Sequence, residues 1–250
     1  MAEYKILVDS SCELPAEYKA DDRFVQVPFR FIIDGVPLSA KNLDPLVLMD
    51  RISGREACSR SACPSPDTFL RNIKGEAKRV YIVTQATVLS GCYRSAMLAK
   101  EMYEKEMSDK EIMVIDATSA SGAESRLVMA IVEMEEKGLD FESIKEALEQ
   151  MKASERDFYF LKGNVTENMA KIKSTTFTAF DQLCEAVSGY IRESAPERII
   201  ITHCGDSDCA EMLRDALCKL SQSTNVIIMK ASSLSSFYAH NGGIVLSVAC

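Results

Sequence analysis

The chain has 250 residues, 47 % of them apolar and 26 % charged, with a net charge of −8. This is ordinary globular composition, and it excludes a disordered or collagen-like chain while allowing one large domain or two modest ones. No apolar run approaches the roughly 18–20 residues a membrane-spanning helix needs, and an acidic chain with two His and no Trp offers little for a nucleic-acid face.

Tyr4–Val8 reads as a buried strand that stops at Asp9-Ser10-Ser11. Residues 24–33 read as one longer strand closed by the turn pair Asp34-Gly35. Residues 43–52 suit a helix, and the polar stretch 53–63, containing Gly54, suits a loop. Ser65-Pro66-Asp67 has the form of a helix start, with Ser as cap, Pro in the first turn and an acid behind it. A strand is expected at 79–84, and a long helix at 89–107 with Leu89, Tyr93, Ala96 and Met97 near one face. Next come a strand at 111–116, a helix at 120–137 ended by Gly138, and a helix at 141–152. This alternation predicts a mostly parallel sheet with helices on both faces.

The remaining residues differ in character. A strand is expected at 157–161, a poorly patterned polar stretch at 163–176, a helix at 179–193 and a strand at 198–202. Residues 206–220 suit a helix with Cys209, Leu213, Ala216, Leu217 and Leu220 on one side. Strands at 225–229 and 244–249 flank a short segment, 232–238, helical at most. The expected division is an N-terminal α/β domain over 1–155 and a smaller α/β C-terminal domain over 156–250.

Nine cysteines, an odd number, occur without a CxxC pair. The opening MAEYKILVDSS lacks the basic flank and apolar core of a signal peptide. Together these lead to the expectation of free thiols in a cytoplasmic protein. Cys92 and Cys218 fall within helical patterns, where each is expected to replace a small apolar residue.

Asp9-Ser10-Ser11 could be read as a nucleophile at a strand end, but a second acid two residues on is missing. A turn capping the helix near Leu14 is the plainer reading. His203-Cys204-Gly205-Asp206, with Asp208 and Cys209, has metal-type ligands at a spacing that fits no closed zinc pattern; Asp206 serves more simply as a helix cap. No GxGxxG or GxxxxGK[ST] occurs, so the common phosphate cradles are absent, and no cofactor or metal is expected.

Three segments are more informative: residues 59–65, 84–93 and 238–243. The first two offer hydroxyls and free backbone N–H groups at helix starts, a neutral cradle for a small anion such as a carboxylate. Ordinary helix capping explains each segment equally well when taken alone.

At these residues the chain resembles the DegV family of bacterial fatty-acid-binding proteins. Asp9-Ser10-Ser11 resembles the family's opening Asp-Ser-[ST]. Residues Ser61-Ala62-Cys63-Pro64-Ser65 resemble its Thr-Ser-x-Pro-Ser. The segment from Ala86 to Ala96 resembles its Ser-Ser-x-Leu-Ser-Gly-Thr-Tyr-x-Ser-Ala, Asp116-Ala117-Thr118 its Asp-[ST], and Ala239-His240-Asn241-Gly242-Gly243 its terminal Ala-His-x-Gly-x-Gly. The resemblance implies a two-domain DegV-like (EDD) fold with one long-chain fatty acid between the domains. It implies a carboxylate held by the hydroxyls of Ser61 and Thr87, with weaker help from Ser90 and the Gly91 backbone and with His240 near the head group. It also implies a carrier that presents the acid to a fatty acid kinase and is not itself the catalyst.

Family members are longer. The missing stretch falls around 161–176, where the family has a Gly-Gly-Arg-Ile segment and helical cover for the tail; only Leu161-Lys162-Gly163-Asn164 stands near it here. The last motif also lacks its second spaced glycine. Burying a tail is worth about 0.8 kcal/mol per methylene, on the order of 10 kcal/mol for a sixteen-carbon chain before ordering costs. Twelve Met and ten Phe supply suitable lining, though an ordinary core uses the same residues. Two further readings stand beside the carrier. One is a small-molecule hydrolase or transferase using Asp9, His203 or His240; the other is a degenerate interaction module with an occluded slot.

Overall fold

Apolar runs that stay buried on both faces build the first sheet. It comprises β1 (Tyr4–Val8), β2 (Phe24–Gln26), β6 (Arg79–Thr84) and β7 (Glu111–Asp116), all parallel, in the order β2-β1-β6-β7. Alternate residues of these strands face two separate cores. Leu7, Val80 and Ile82 pack under Phe69 and Ile73 of α3 (Pro66–Ile73) and under Cys92, Ala96 and Ala99 of α4 (Cys92–Glu106). Ile6, Val8, Tyr81 and Val83 face Leu127 and Ile131 of α5 (Gly122–Glu136) and Ile144 and Leu148 of α6 (Phe141–Ser154). Helices thus cover both faces, the pattern expected of a parallel sheet. This computed structural model describes residues 3–161, 174–194, 196–220 and 225–249.

The second large sheet is mixed. It comprises β8 (Arg156–Phe160), β9 (Ser174–Phe177), β10 (Arg198–His203), β11 (Asn225–Lys230) and β12 (Ile244–Ala249), in the order β11-β10-β12-β8-β9. Its outer face buries Phe158, Ile199, Ile201 and Leu246 against α7 (Phe180–Ser194) and α8 (Ser207–Leu220). Its inner face meets α5, which contacts β6 on one side and β10 and β12 on the other. Every α5 residue from Gly122 to Val132 is therefore buried, including Glu124 and Arg126. A helix held between two sheets has no solvent face to keep polar.

A third, three-stranded antiparallel sheet was not expected. Its strands are β3 (Arg30–Ile33), β4 (Val36–Ser39) and β5 (Ser59–Ala62), in the order β4-β3-β5. Asp34 and Gly35, both at positive φ, turn β3 into β4 as the sequence suggests. Residues 24–33 are not one strand, because Pro28 has no N–H to continue a ladder. Val27 N–H instead closes on the Val8 carbonyl and Phe29 N–H on Ser10 Oγ, and the chain changes sheets. Residues 53–63 are not wholly loop: Phe31 pairs with Ser61, so the polar run 59–62 is an edge strand set by its partner.

Smaller corrections follow from local hydrogen bonding. The long helix starts at Cys92 and not at Leu89, because Leu89 N–H turns back to the Ala86 carbonyl. The next helix starts at Gly122, after Ser121 at φ 62°. α1 (Ala16–Lys19) has Pro15 as its cap and no side-chain bond there, so Asp9-Ser10-Ser11 does not cap it. α2 (Pro45–Ile52) is capped by Asp44, which accepts from Leu46 N–H. Gly138 closes α5 at φ 74°. Cys92 is buried as expected, whereas Cys218 is exposed. Residues 162–173 of the expected polar stretch lie outside the described residues; Ser174–Phe177 beyond them is strand, paired in parallel with β8.

Candidate functional site

Loops at the carboxyl ends of β1, β6 and β7 lie where open α/β sheets receive ligands. The structure brings the three informative segments together there. Ser61 Oγ and Tyr238 Oη are 2.9 Å apart, joining β5 to α9 (Ser233–Ala239) across the seam between the two large sheets. Ser95 Oγ donates to the Pro64 carbonyl at 2.6 Å. Gly91 stands beside Cys63, whose Sγ lies 3.7 Å from where a Cβ on that glycine would be.

Each sequence-derived site residue has a definite local role. Thr87 donates both its N–H, at 2.8 Å, and its hydroxyl to the two carboxylate oxygens of Asp116. A hydroxyl has one proton, so Thr87 cannot also donate to a ligand carboxylate in this arrangement. Ser90 Oγ accepts from Cys92 N–H at 2.9 Å, a turn just ahead of α4, whose N-cap is Gly91. His240 is half-buried and follows α9 at φ 60°, a conformation rarely adopted outside glycine. Its loop closes tightly: a Cβ on Gly243 would stand 2.3 Å from the Ala239 carbonyl oxygen, so no other residue fits there. Ser61 and Thr87 share no hydrogen bond; Ser61 bonds Tyr238 and Thr87 bonds Asp116.

Beneath these loops lies a buried carboxyl cluster whose Glu13 and Glu124 the sequence reading left out. Asp9 is fully buried, accepting from Ser11 N–H at 2.8 Å and Gln85 N–H at 2.9 Å, which leaves no approach for a substrate to a nucleophile. Burial raises its pKa, against the pull of those N–H donors. Glu13 accepts from Ser121 Oγ at 2.7 Å and from Ser232 N–H at 2.9 Å, tying the loop after β1 to α5 and to the start of α9. Burial raises its pKa as well. Ser11 Oγ lies between Asp9, at 2.7 Å, and Glu124. One hydroxyl proton cannot serve two carboxylates, so one of the pair carries a proton. Burial, then the Asp9 charge, push the Glu124 carboxyl well above its usual range, which assigns the proton to Glu124.

Two cavities flank the seam. A cavity of about 10 Å³, room for roughly one water molecule, is walled by Leu89, Ala120, Tyr159, Tyr238, Ala239 and Val245. A larger one, about 390 Å³, lies between the loop after β1 and the start of α9, with Ser10, Glu13, Asn42, Lys230 and Ser232 on its walls. His203 ends β10, and burial lowers its pKa. Asp206 accepts from Cys209 N–H at 3.1 Å, the helix-cap role expected of it. Among the described residues no group of three or more His, Cys, Asp or Glu is placed to hold a metal ion.

Two α/β units facing each other across a hydroxyl-closed seam define a two-lobed α/β protein of the cleft type. The chain belongs to the DegV family: the model described as "Uncharacterised protein, DegV family" matches residues 3–163. A DegV domain-containing protein of Streptococcus pneumoniae is 29 % identical, over 97 % of this chain and 98 % of its own length. That alignment runs over 282 positions, more than the 250 residues here, so the relative carries insertions. Among solved structures, a DegV family protein from Ruminococcus gnavus, refined with vaccenic acid, superposes with a TM-score of 0.89 at 24 % identity over 99 % of each chain. The S. pneumoniae fatty acid kinase B3 protein loaded with linoleic acid superposes at 0.86 with 25 % identity, over 100 % of this chain and 99 % of that one.

Proposed function

We propose that this protein is a cytoplasmic carrier that binds one long-chain fatty acid in the seam between its lobes, 1–155 and 156–250, and presents it to a fatty acid kinase. The observation that supports this most is the end-to-end likeness to the S. pneumoniae protein loaded with linoleic acid. The carboxylate sits at the loop cluster of Ser61, Thr87, Ser90, Gly91 and His240. Ser61 and Tyr238 receive it as a pair, because their mutual bond uses one of the two hydroxyl protons and leaves the other, on whichever of the two accepts, for the carboxylate. Thr87, engaged by Asp116, shapes the cradle and accepts from the acid only in its protonated form. Without a buried counter-charge the carboxylate remains open to a partner's chemistry. The chain supplies the lipid and no catalytic group.

Native mass spectrometry of the purified protein tests this, with a near-equimolar fatty acid as the expected result. Ser61→Ala is expected to weaken binding about tenfold, the scale of one hydrogen bond to a charged group. A lipid-free protein that takes up neither oleate nor palmitate would overturn the carrier reading. One observation favours a second reading in that event. Both hydroxyls have internal partners and the apolar cavity walled by Tyr159 and Tyr238, the smaller of the two at the seam, holds about 10 Å³, as an interaction module with an occluded slot would have.

A further inference from the structure

We propose that the polar cavity of about 390 Å³ at the seam is a second binding site, for a phosphate group that is either free or carried on a compact polar body. Its position is one where α/β sheets receive ligands. Ser10, Gln26 and Lys230 on its walls lie at or just past the carboxyl ends of the parallel strands β1, β2 and β11. Lys19 of α1 and Asn42, in the loop after β4, complete the polar wall. The volume falls within the roughly 300–1,000 Å³ of small-molecule sites. The site is separate from the acid cradle: α9 meets the cavity at Ser233 and reaches Ser61 only at Tyr238.

What the wall offers is donors. Ser10 is 1 % exposed; its Oγ accepts from Phe29 N–H at 2.9 Å, and its own proton has no acceptor among the described residues. Buried polar groups are rarely left so. The Asn42 and Gln26 amides and the Lys19 ammonium likewise have no side-chain hydrogen bond or ion pair among the described residues. Lys230 meets Asp44 only at 3.5 Å, and both groups are exposed, so the pair is weak and Lys230 is free to turn to a ligand. Glu13 is the one acid among the described lining residues. Its oxygens accept from Ser121 Oγ and Ser232 N–H, and burial raises its pKa, so it opposes an anion little. On a chain of net charge −8, a cavity with two ammonium groups and one such acid selects anions. One ammonium comes from each side of the seam, and Coulomb attraction grows with the ligand's charge, so the pair favours a phosphate dianion over a singly charged carboxylate. The neutral donors then serve its remaining oxygens.

Isothermal titration calorimetry of the purified protein with ribose 5-phosphate, inorganic phosphate and ribose tests the site. Both phosphates are expected to bind saturably, and more weakly as salt rises, whereas ribose is expected not to bind. Tighter binding of ribose 5-phosphate assigns a phosphate ester as the occupant; equal affinity assigns free phosphate. Lys19→Gln and Lys230→Gln are each expected to weaken phosphate binding about tenfold. Both side chains are exposed, so neither change touches the core. Lys105→Gln, in the last turn of α4 and outside the cavity, removes the same charge elsewhere and is expected to change nothing. Absence of saturable phosphate binding would overturn the site, as would ribose binding as tightly as its phosphate. Binding unmoved by both cavity substitutions, or weakened equally by all three, would overturn it too. The fatty acid is read separately by native mass spectrometry, so the site and the carrier reading fail independently.

Discussion

At the residue scale, the head-group loops are organised by protons as much as by shape. Thr87 gives its N–H and its O–H to the two oxygens of one carboxylate, Asp116. This fastens the loop after β6 to the end of β7 whether or not a ligand is present. Thr87→Val keeps the shape and removes the hydroxyl, leaving Asp116 with the backbone donor alone. Hydrogen bonds to charged groups contribute about 1.5–3 kcal/mol, and Asp116 is only half-buried, so a loss of about 1–2 kcal/mol is expected. Urea denaturation of lipid-stripped protein measures it. Unchanged stability would mean that the pair is an incidental contact. Thr87→Ser retains the hydroxyl and is expected to behave as the wild type.

At the scale of elements, α5 is the piece on which both lobes close. Its first residue, Gly122, lies so near the second sheet that a Cβ would stand 2.8 Å from Ser247 Oγ and 3.1 Å from Ile200 Cγ2. Gly122→Ala would gain up to about 1 kcal/mol in helix propensity. Overpacking a site bounded by strand residues costs about 1–3 kcal/mol, so net destabilisation is expected. A denaturation midpoint equal to or above the wild type would show that the two sheets part freely around α5. The burial of α5 on all sides was not legible in the sequence, because burial depends on how many sheets face a helix and not on its own periodicity. β6 and β10 were legible, since central strands buried on both faces read as unbroken apolar runs. β5 was not: Ser59, Arg60 and Ser61 are polar, and only the register with β3 makes them a strand. The site divided in the same way. Ser61, Thr87 and His240 stood out through local segments, whereas the partners that engage the two hydroxyls, Tyr238 and Asp116, lie 177 and 29 residues away. Glu13 and Glu124 left no local signal at all, since an isolated acid in sequence gives no indication of being buried.

At the scale of the whole molecule, the buried acids fix how stability varies with pH. Asp9, Glu13 and Glu124 all have pKa values raised chiefly by burial. Asp157 on β8 is pushed up to about 7, by burial first and then by the neighbouring Glu155. An acid whose pKa is higher in the folded state keeps its proton while the unfolded chain has already released it. Between the two pKa values the folded state therefore binds more protons, and stability falls as pH rises, by about 1.4 kcal/mol per pH unit for each proton retained. Groups shifted the other way act elsewhere: Asp21, held low by Arg23, and Asp44 and Asp140, held low by backbone N–H groups, deliver their stabilisation above the ordinary carboxylate range and lose it only in acid. His203, lowered by burial, raises stability as pH climbs toward its ordinary value of 6.5, but it is one group against several acids. Urea midpoints are therefore expected to fall between about pH 5 and about pH 8. Glu124→Gln, which places a neutral donor where the protonated acid stands, is expected to flatten that fall. A stability that rises across the interval would show that the cluster ionises in the folded state with its charges compensated, and would remove the assignment of the proton to Glu124.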